Sequence, residues 1–275
     1  MPGQLSFLIT SYNLAKARTM SLNPKIAEWH GKSVWLVGAS SGIGEATAAA
    51  LHAAGARLFV SARNADSLKA FAAKHPGAVA VPLDVTDADA VQSAAATVLA
   101  SGPLDLMLYC AGYYKELRAT DYNTAEMLQH NRVNYVGAVE VLGAVLPGMV
   151  ARKSGHVSLI SSVAGYRGLP KSLAYGPTKA ALINLAETLY VDLQDSHVGV
   201  SLVCPGFVET GLTAQNKFTM PALLTPAAAA QAMLKGWADG VFEIHFPKRF
   251  TLWVKALALL PARWYFPVIR KFTGL

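Results

Sequence analysis

Short apolar runs alternate with longer stretches of mixed character along most of the chain. Ser33–Val37 is an apolar run ending at Gly38 and reads as a buried strand. Gly42–Ala54 has helical composition and stops at Gly55, a C-terminal cap signal. A strand at Arg57–Ser61 and a helix at Ala65–Lys74, stopped by Pro76, follow. Ala78–Leu83 predicts a third strand; Asp87 caps a helix running to Leu99, which Ser101-Gly-Pro ends. Leu104–Cys110 is the fourth strand, 124–150 a long helix, His156–Ser161 the fifth strand and 172–195 a second long helix. Val198–Cys204, a helix at Pro226–Trp237 and a strand at Val241–Phe246 complete the series. Strands alternating with helices predict parallel pairing through right-handed crossovers. The strands are apolar on both faces, as when helices cover both sides. The fold class is α/β: a doubly wound, mostly parallel seven-stranded sheet, with ligands outside the carboxyl ends of its strands.

Composition adds exclusions. Of 275 residues, 53% are hydrophobic and 15% charged, which excludes a disordered chain. Two cysteines, Cys110 and Cys204, exclude a disulfide scaffold and suit a reducing, cytoplasmic compartment. The seven histidines show no metal-ligand spacing, so no metal site is expected. The net charge of +7 is concentrated: from Lys248 onward there are six basic residues and no acid. The rest of the chain is nearly neutral, so the charge predicts no nucleic-acid partner. There is no uninterrupted apolar run long enough to predict a membrane-spanning helix. Leu5–Ile9 is too short for a signal peptide, and no basic residue precedes it. Met20-Ser-Leu-Asn-Pro reads as a start, which makes residues 1–19 either a disordered arm or the product of an upstream start codon. The expected organisation is an arm at 1–30, a catalytic domain at 31–247 and a basic, aromatic tail at 248–275.

Chemistry gathers at the strand ends. Gly38-Ala39-Ser40-Ser41-Gly42-Ile43-Gly44 joins the first strand to the first helix. Such glycines let the backbone turn tightly and approach a pyrophosphate at the helix N-terminus; a plain Gly-rich turn is the alternative. After the second strand, 59–64 holds no acid to bind adenosine ribose hydroxyls. Arg63 offers a guanidinium for a 2′-phosphate, favouring NADP(H) over NAD(H); otherwise it is a solvated residue before a helix. Asp84-Val85 could meet an adenine edge, or Asp84 could close a turn. Tyr175 and Lys179 share one helical face, and Ser162 stands at the end of the fifth strand. Ionising a free tyrosine at neutral pH costs about 4 kcal/mol. A neighbouring ammonium lowers that cost, so Tyr175 could exchange a proton with a carbonyl or alcohol oxygen held by Ser162.

These pieces together resemble the short-chain dehydrogenase/reductase family of Rossmann-fold oxidoreductases. The matching elements are the glycine loop, Asp84-Val85, Ala111-Gly112, Asn134, Ser161-Ser162, Tyr175-Gly-Pro-Thr-Lys179 and Pro205-Gly206…Thr210, in the family's order over about 33–212. The resemblance implies that Ser162, Tyr175 and Lys179 are catalytic and that Asn134 joins a proton relay through a water near Lys179. It implies that Tyr175 and Lys179 also bind the cofactor, Lys179 at the nicotinamide ribose. Pro205, Gly206, Val208 and Thr210 would border the nicotinamide, and the two long helices would form a homodimer or homotetramer. Val37 replaces a usual threonine, and Tyr109-Cys110 a usual Asn-Asn. Both cysteines read as buried strand residues rather than nucleophiles. Pro177 fits only in a first helical turn, which places a helix start close to Tyr175.

The segment 207–224, with Leu212, Phe218, Met220, Leu223 and Leu224, would cover a substrate and suggests an apolar one, although a lid also buries its own side chains. In the tail, Leu252–Leu260 reads as a short helix stopped by Pro261, and Pro267 is expected to break the next stretch. Trp and Phe among basic residues suit an anionic bilayer and a peripheral protein on a membrane's inner face. Packing on the body or on another subunit is the alternative. The expected function is an NADP-dependent oxidoreductase acting on a small-molecule carbonyl/alcohol pair. Epimerisation or dehydration with retained cofactor, and a nucleotide sensor without turnover, are the competing readings.

Overall fold

A computed structural model describes residues 21–215 and 220–274. Seven strands form one sheet: β1 (Ser33–Val37), β2 (Arg57–Ser61), β3 (Val79–Ala80), β4 (Leu106–Tyr109), β5 (His156–Ile160), β6 (Gly199–Pro205) and β7 (Glu243–Phe246). Their order is β3-β2-β1-β4-β5-β6-β7, every pair parallel. The order reverses between β1 and β4, where Val37 lies opposite both Ser61 and Tyr109. That reversal opens a crevice at the carboxyl ends.

Alternate strand residues build two cores, because side chains change face at each residue. Val34, Leu36, Leu58, Val60, Leu106 and Leu108 meet α1 (Gly42–Ala53), α2 (Ala65–Lys74) and α7 (Pro226–Asp239). Trp35, Val37, Phe59, Met107, Tyr109 and Leu202 meet α3 (Ala88–Leu99), α5 (Gly137–Ala151) and α6 (Tyr175–Asp192). A short helix, α4 (Thr124–Asn131), leads into α5 through a π turn at Arg132–Val136. The combined helix Thr124–Ala151 is long and apolar enough to cross a bilayer. Here Ala138, Val141, Val145 and Met149 are buried in the core.

Three elements differ from the sequence reading. The third strand is short, yet its continuation keeps bonding β2: Val81 N–H donates to Val60 O and Leu83 N–H to Ala62 O. The expected arm is anchored over its last ten residues: Asn23 bonds both backbone groups of Val200, and Trp29 is buried against Trp237. Its residues 1–20, with the question of the start, lie outside the described residues. The tail forms α8 (Lys248–Ala258) and α9 (Ala262–Thr273), and Pro267 lies inside α9 rather than breaking it. The ring removes one N–H, a cost of roughly 3 kcal/mol in a helix interior. Burial of Tyr265 and Ile269 on either side of Pro267 offsets it.

Candidate active site

The glycine loop is shaped by close backbone approach. A Cβ on Gly38, which has φ +97°, would lie 2.3 Å from the Ala111 nitrogen, and one on Gly44 2.1 Å from the Gly38 oxygen. Any side chain would therefore push the loop off β4 or α1 off the loop. Ser41 begins α1 without a side-chain cap, which leaves first-turn N–H groups for another acceptor. Ser40, Ser41, Gly42 and Ile43 line a cleft of about 360 Å³ along the carboxyl ends of the strands. Uncapped N–H groups at a glycine-lined helix N-terminus suit a phosphate-bearing cofactor. Arg63 stands exposed at the rim. Asp84 takes its turn-closing role, its Oδ1 accepting from Thr86 N (2.9 Å) and Thr86 Oγ1 (2.8 Å), while it and Val85 still line the cleft.

At the other end of the cleft stand Ala111, Gly112, Ser162, Tyr175, Lys179, Pro205, Gly206, Val208 and Thr210. Tyr175 is the first residue of α6, and Pro177 lies in its first turn, where the missing N–H breaks no helical bond. Ser162 follows β5; its Oγ accepts from Ala164 N at 3.1 Å and lines the cleft with Tyr175. Lys179, only 3% exposed, donates to Ile160 O at 2.9 Å, with its Nζ 5.5 Å from the Tyr175 ring centre. Burial pulls this ammonium down to about 8. Burial also pushes the Tyr175 phenol above its ordinary value, and the Ser162 hydroxyl acts against that rise. Tyr175 thus holds its proton at neutral pH and can release it to a developing oxyanion. Burial pushes the Cys110 and Cys204 thiols to about 11 and about 12, so neither is a ready thiolate.

Gly44 and Asn134 do not line the cleft. Asn134 is fully buried within the π turn. Its Oδ1 accepts from Tyr113 N (2.7 Å), and its Nδ2 donates to Tyr113 O and to Thr178 Oγ1 (both 3.0 Å). It straps the loop after β4 to the first turn of α6, one residue before Lys179. The π turn is bonded from β4. Tyr109 donates its phenol to Val133 O at 2.5 Å, the carbonyl a regular helix would offer to Gly137 N–H. Gly137 N–H bonds Arg132 O instead. Gly137 accommodates this, because a Cβ there would lie 2.5 Å from the Tyr109 hydroxyl. The aromatic residue at the departure from the usual Asn-Asn therefore bonds the π turn that carries Asn134.

The sequence reading missed Tyr114, whose ring meets Tyr175 edge-on at 5.1 Å, and the cleft-lining Thr213. Thr213 Oγ1 accepts from Thr210 N (3.0 Å) and donates to Val208 O (2.6 Å), fixing the turn after Pro205-Gly206. A Thr-x-x-Thr spacing was the available signal for this turn; Tyr114 had none. Of the expected cover, Leu212 lines the cleft, Leu223 is exposed, and Phe218 lies outside the described residues.

A doubly wound parallel sheet with a glycine loop and a Ser-Tyr-Lys group lining one cleft at the carboxyl ends of its strands defines a nucleotide-dependent oxidoreductase. The sequence matches the short chain dehydrogenase family over residues 32–220, and the chain belongs to that family. It is 37% identical over 241 residues to an uncharacterized oxidoreductase of Myxococcus xanthus, covering 86% of this chain and 95% of that one. A short-chain dehydrogenase from Streptomyces avermitilis superposes with a TM-score of 0.75 at 28% identity, covering 89% of this chain and 98% of that one. The fold is also that of a Burkholderia phymatum family member in complex with NAD, with a TM-score of 0.76 at 24% identity over 84% of this chain and 94% of that one. The chain is thus an NAD(P)-dependent oxidoreductase acting on a small molecule.

Proposed function

We propose that the protein is an NADPH-dependent reductase of a carbonyl on an apolar, lipid-like substrate, working in the cytoplasm. The observation that carries this reading is the convergence of Ser162, Tyr175 and a dehydrated Lys179 on one cleft beneath an uncapped helix. Nicotinamide supplies the hydride when bound. Ser162 holds the substrate oxygen, Tyr175 gives it a proton, and Lys179 favours the phenolate left behind and binds the nicotinamide ribose. Asn134 joins the proton relay through a water near Lys179 and positions the first turn of α6. The glycine loop, Ala111-Gly112 and Pro205 to Thr210 hold the dinucleotide, with Asp84-Val85 at its adenine.

Arg63, with no carboxylate in 59–64, supports NADP(H) over NAD(H). Leu212 and the Tyr114 ring beside Tyr175 support an apolar substrate. Exposed Leu128, Val136, Val139 and Val150 on α4 to α5, and Val191 on α6, support a homodimer or homotetramer built on these helices. The free thiols of Cys110 and Cys204 fit the cytoplasm.

The test is NADPH and NADH consumption across ketones and aldehydes of rising chain length. The expected result is turnover that increases with chain length and is at least roughly tenfold faster with NADPH. Preference for NADH, or for short polar carbonyls, would overturn the corresponding part of the reading.

A further inference from the structure

The tail is fastened to the body at several points. Arg167, on the loop between Ser162 and Tyr175, donates to the Ala258 and Leu260 carbonyls at the end of α8 and stacks on the Tyr265 ring at 4.0 Å. Tyr265 donates to Gly168 O at 2.9 Å, and Lys255 pairs with Glu243 of β7. Phe250 of α8 covers Gly206, where a Cβ would lie 2.8 Å from its ring, so the tail adjoins the substrate end of the cleft. These ties account for the inward face of the two helices.

They leave an outward face that packing does not explain. On α9, Trp264, Tyr265, Val268, Ile269 and Phe272 share one side at helical spacing, yet only Tyr265 and Ile269 are buried. Trp264 is 55% exposed and Phe272 69%. Trp253 of α8, 46% exposed, meets the Phe272 ring at 5.3 Å and extends the strip across both helices. Arg263 stacks on Trp264 at 5.1 Å, Arg249 and Lys271 are also exposed, and the whole segment 248–275 contains six cations and no acid. Leu259, in the turn between the helices, is 87% exposed.

We propose that α8 and α9 form a docking surface for an anionic lipid bilayer, with Trp253, Leu259, Trp264 and Phe272 entering the headgroup boundary and Arg249, Arg263 and Lys271 facing lipid phosphates and carboxylates. Charge selects this occupant over a second copy of the chain. A two-fold interface sets the same patch against itself, so the exposed Arg249, Arg263 and Lys271 would meet the same three cations of the other copy. An anionic leaflet neutralises them, and Trp with Phe is suited to its interfacial layer. Docking rests on the tail alone and stands apart from the reductase reading. The contact of Phe250 with Gly206 means that docking would bring the substrate end of the cleft toward the lipid.

The test is flotation of the full-length protein with phosphatidylcholine vesicles prepared with and without phosphatidylserine, at low and high salt. Two variants accompany it: Trp253→Ser/Trp264→Ser/Phe272→Ser and Arg249→Glu/Arg263→Glu/Lys271→Glu. NADPH binding and circular dichroism verify that both are folded, and light scattering gives their mass. The expected result is at least about tenfold stronger binding to the anionic vesicles, weakened by salt and lost in both variants at unchanged mass. Binding that is absent, indifferent to phosphatidylserine, or retained by both variants would overturn the proposal. So would a change of oligomeric mass in the aromatic variant, which would assign the strip to a second copy.

Discussion

The corner beneath Tyr175 and the outer face of the tail use the same kinds of side chain under opposite conditions. In the corner, Lys179 is dehydrated, bonded to a backbone carbonyl and pulled down to about 8, and Tyr175 lies under the Tyr114 ring. On the tail, Arg263 lies over Trp264 with most of both helices' aromatic strip in solvent. Dehydration turns a cation into a group able to bias a neighbouring proton. Solvation leaves it as charge, useful for attraction at a surface. The difference lies in what surrounds each residue, and substitutions that alter only the surroundings or only the charge can probe it.

The largest contrast concerns the two lysines. The unfolded chain holds the Lys179 proton up to about pH 10.5, the folded protein only to about 8. Between these values the unfolded chain binds more protons, so stability rises with pH across that window. The buried charge opposes folding fully below about pH 8, by on the order of 3 kcal/mol. Lys179→Met therefore gains stability relative to wild type at neutral pH, and denaturant unfolding of the apo-protein should show that gain shrinking as the pH climbs toward 10.5. A pH-independent difference would mean the lysine is not dehydrated. Lys271→Met on α9 should change stability by less than about 0.5 kcal/mol.

Arg63 is intermediate, exposed yet assigned a ligand. Arg63→Ala should lower the preference for NADPH over NADH by roughly 10- to 100-fold, as read from the ratio of kcat/KM values, with little change in thermal stability. An unaltered ratio would return Arg63 to the solvated surface. Smaller still is Tyr109→Phe, which strips the Val133 carbonyl of its donor and lets Gly137 N–H return to it. The expected cost is about 1 kcal/mol in unfolding free energy, together with a several-fold fall in kcat as Asn134 shifts. Unchanged kcat would separate the π turn from the chemistry. Trp264→Ser should be nearly silent in stability, within about 0.5 kcal/mol, because its ring is not part of the core.

The sheet was legible because its strands are buried apolar runs between helices with recognisable stops, and their alternation with helices implied parallel pairing; the strand order came only from the structure. The glycine loop and the Tyr175–Lys179 pair were legible because their spacing is local. What escaped depends on contacts between distant residues. The π turn is bonded by Tyr109, far from Val133 in the chain, and nothing within 124–150 signals that contact. Asn134 was visible as a motif residue, but its bonds to Tyr113 and Thr178 were not. The third strand shortened because it has only β2 beside it, and α9 passed through Pro267 because Tyr265 and Ile269 are buried.

Tyr175 passes the proton in a cleft whose glycine loop and other lining residues keep the cofactor bound when the phenol is removed. The most direct measurement compares wild type and Tyr175→Phe by equilibrium NADPH affinity and by kcat on the best carbonyl of the series. The expected result is NADPH affinity within a few-fold of wild type and a fall in kcat on the order of 10²- to 10⁴-fold. A variant that keeps its rate within about twofold, with NADPH bound as tightly, would place the proton donor elsewhere and contradict the account.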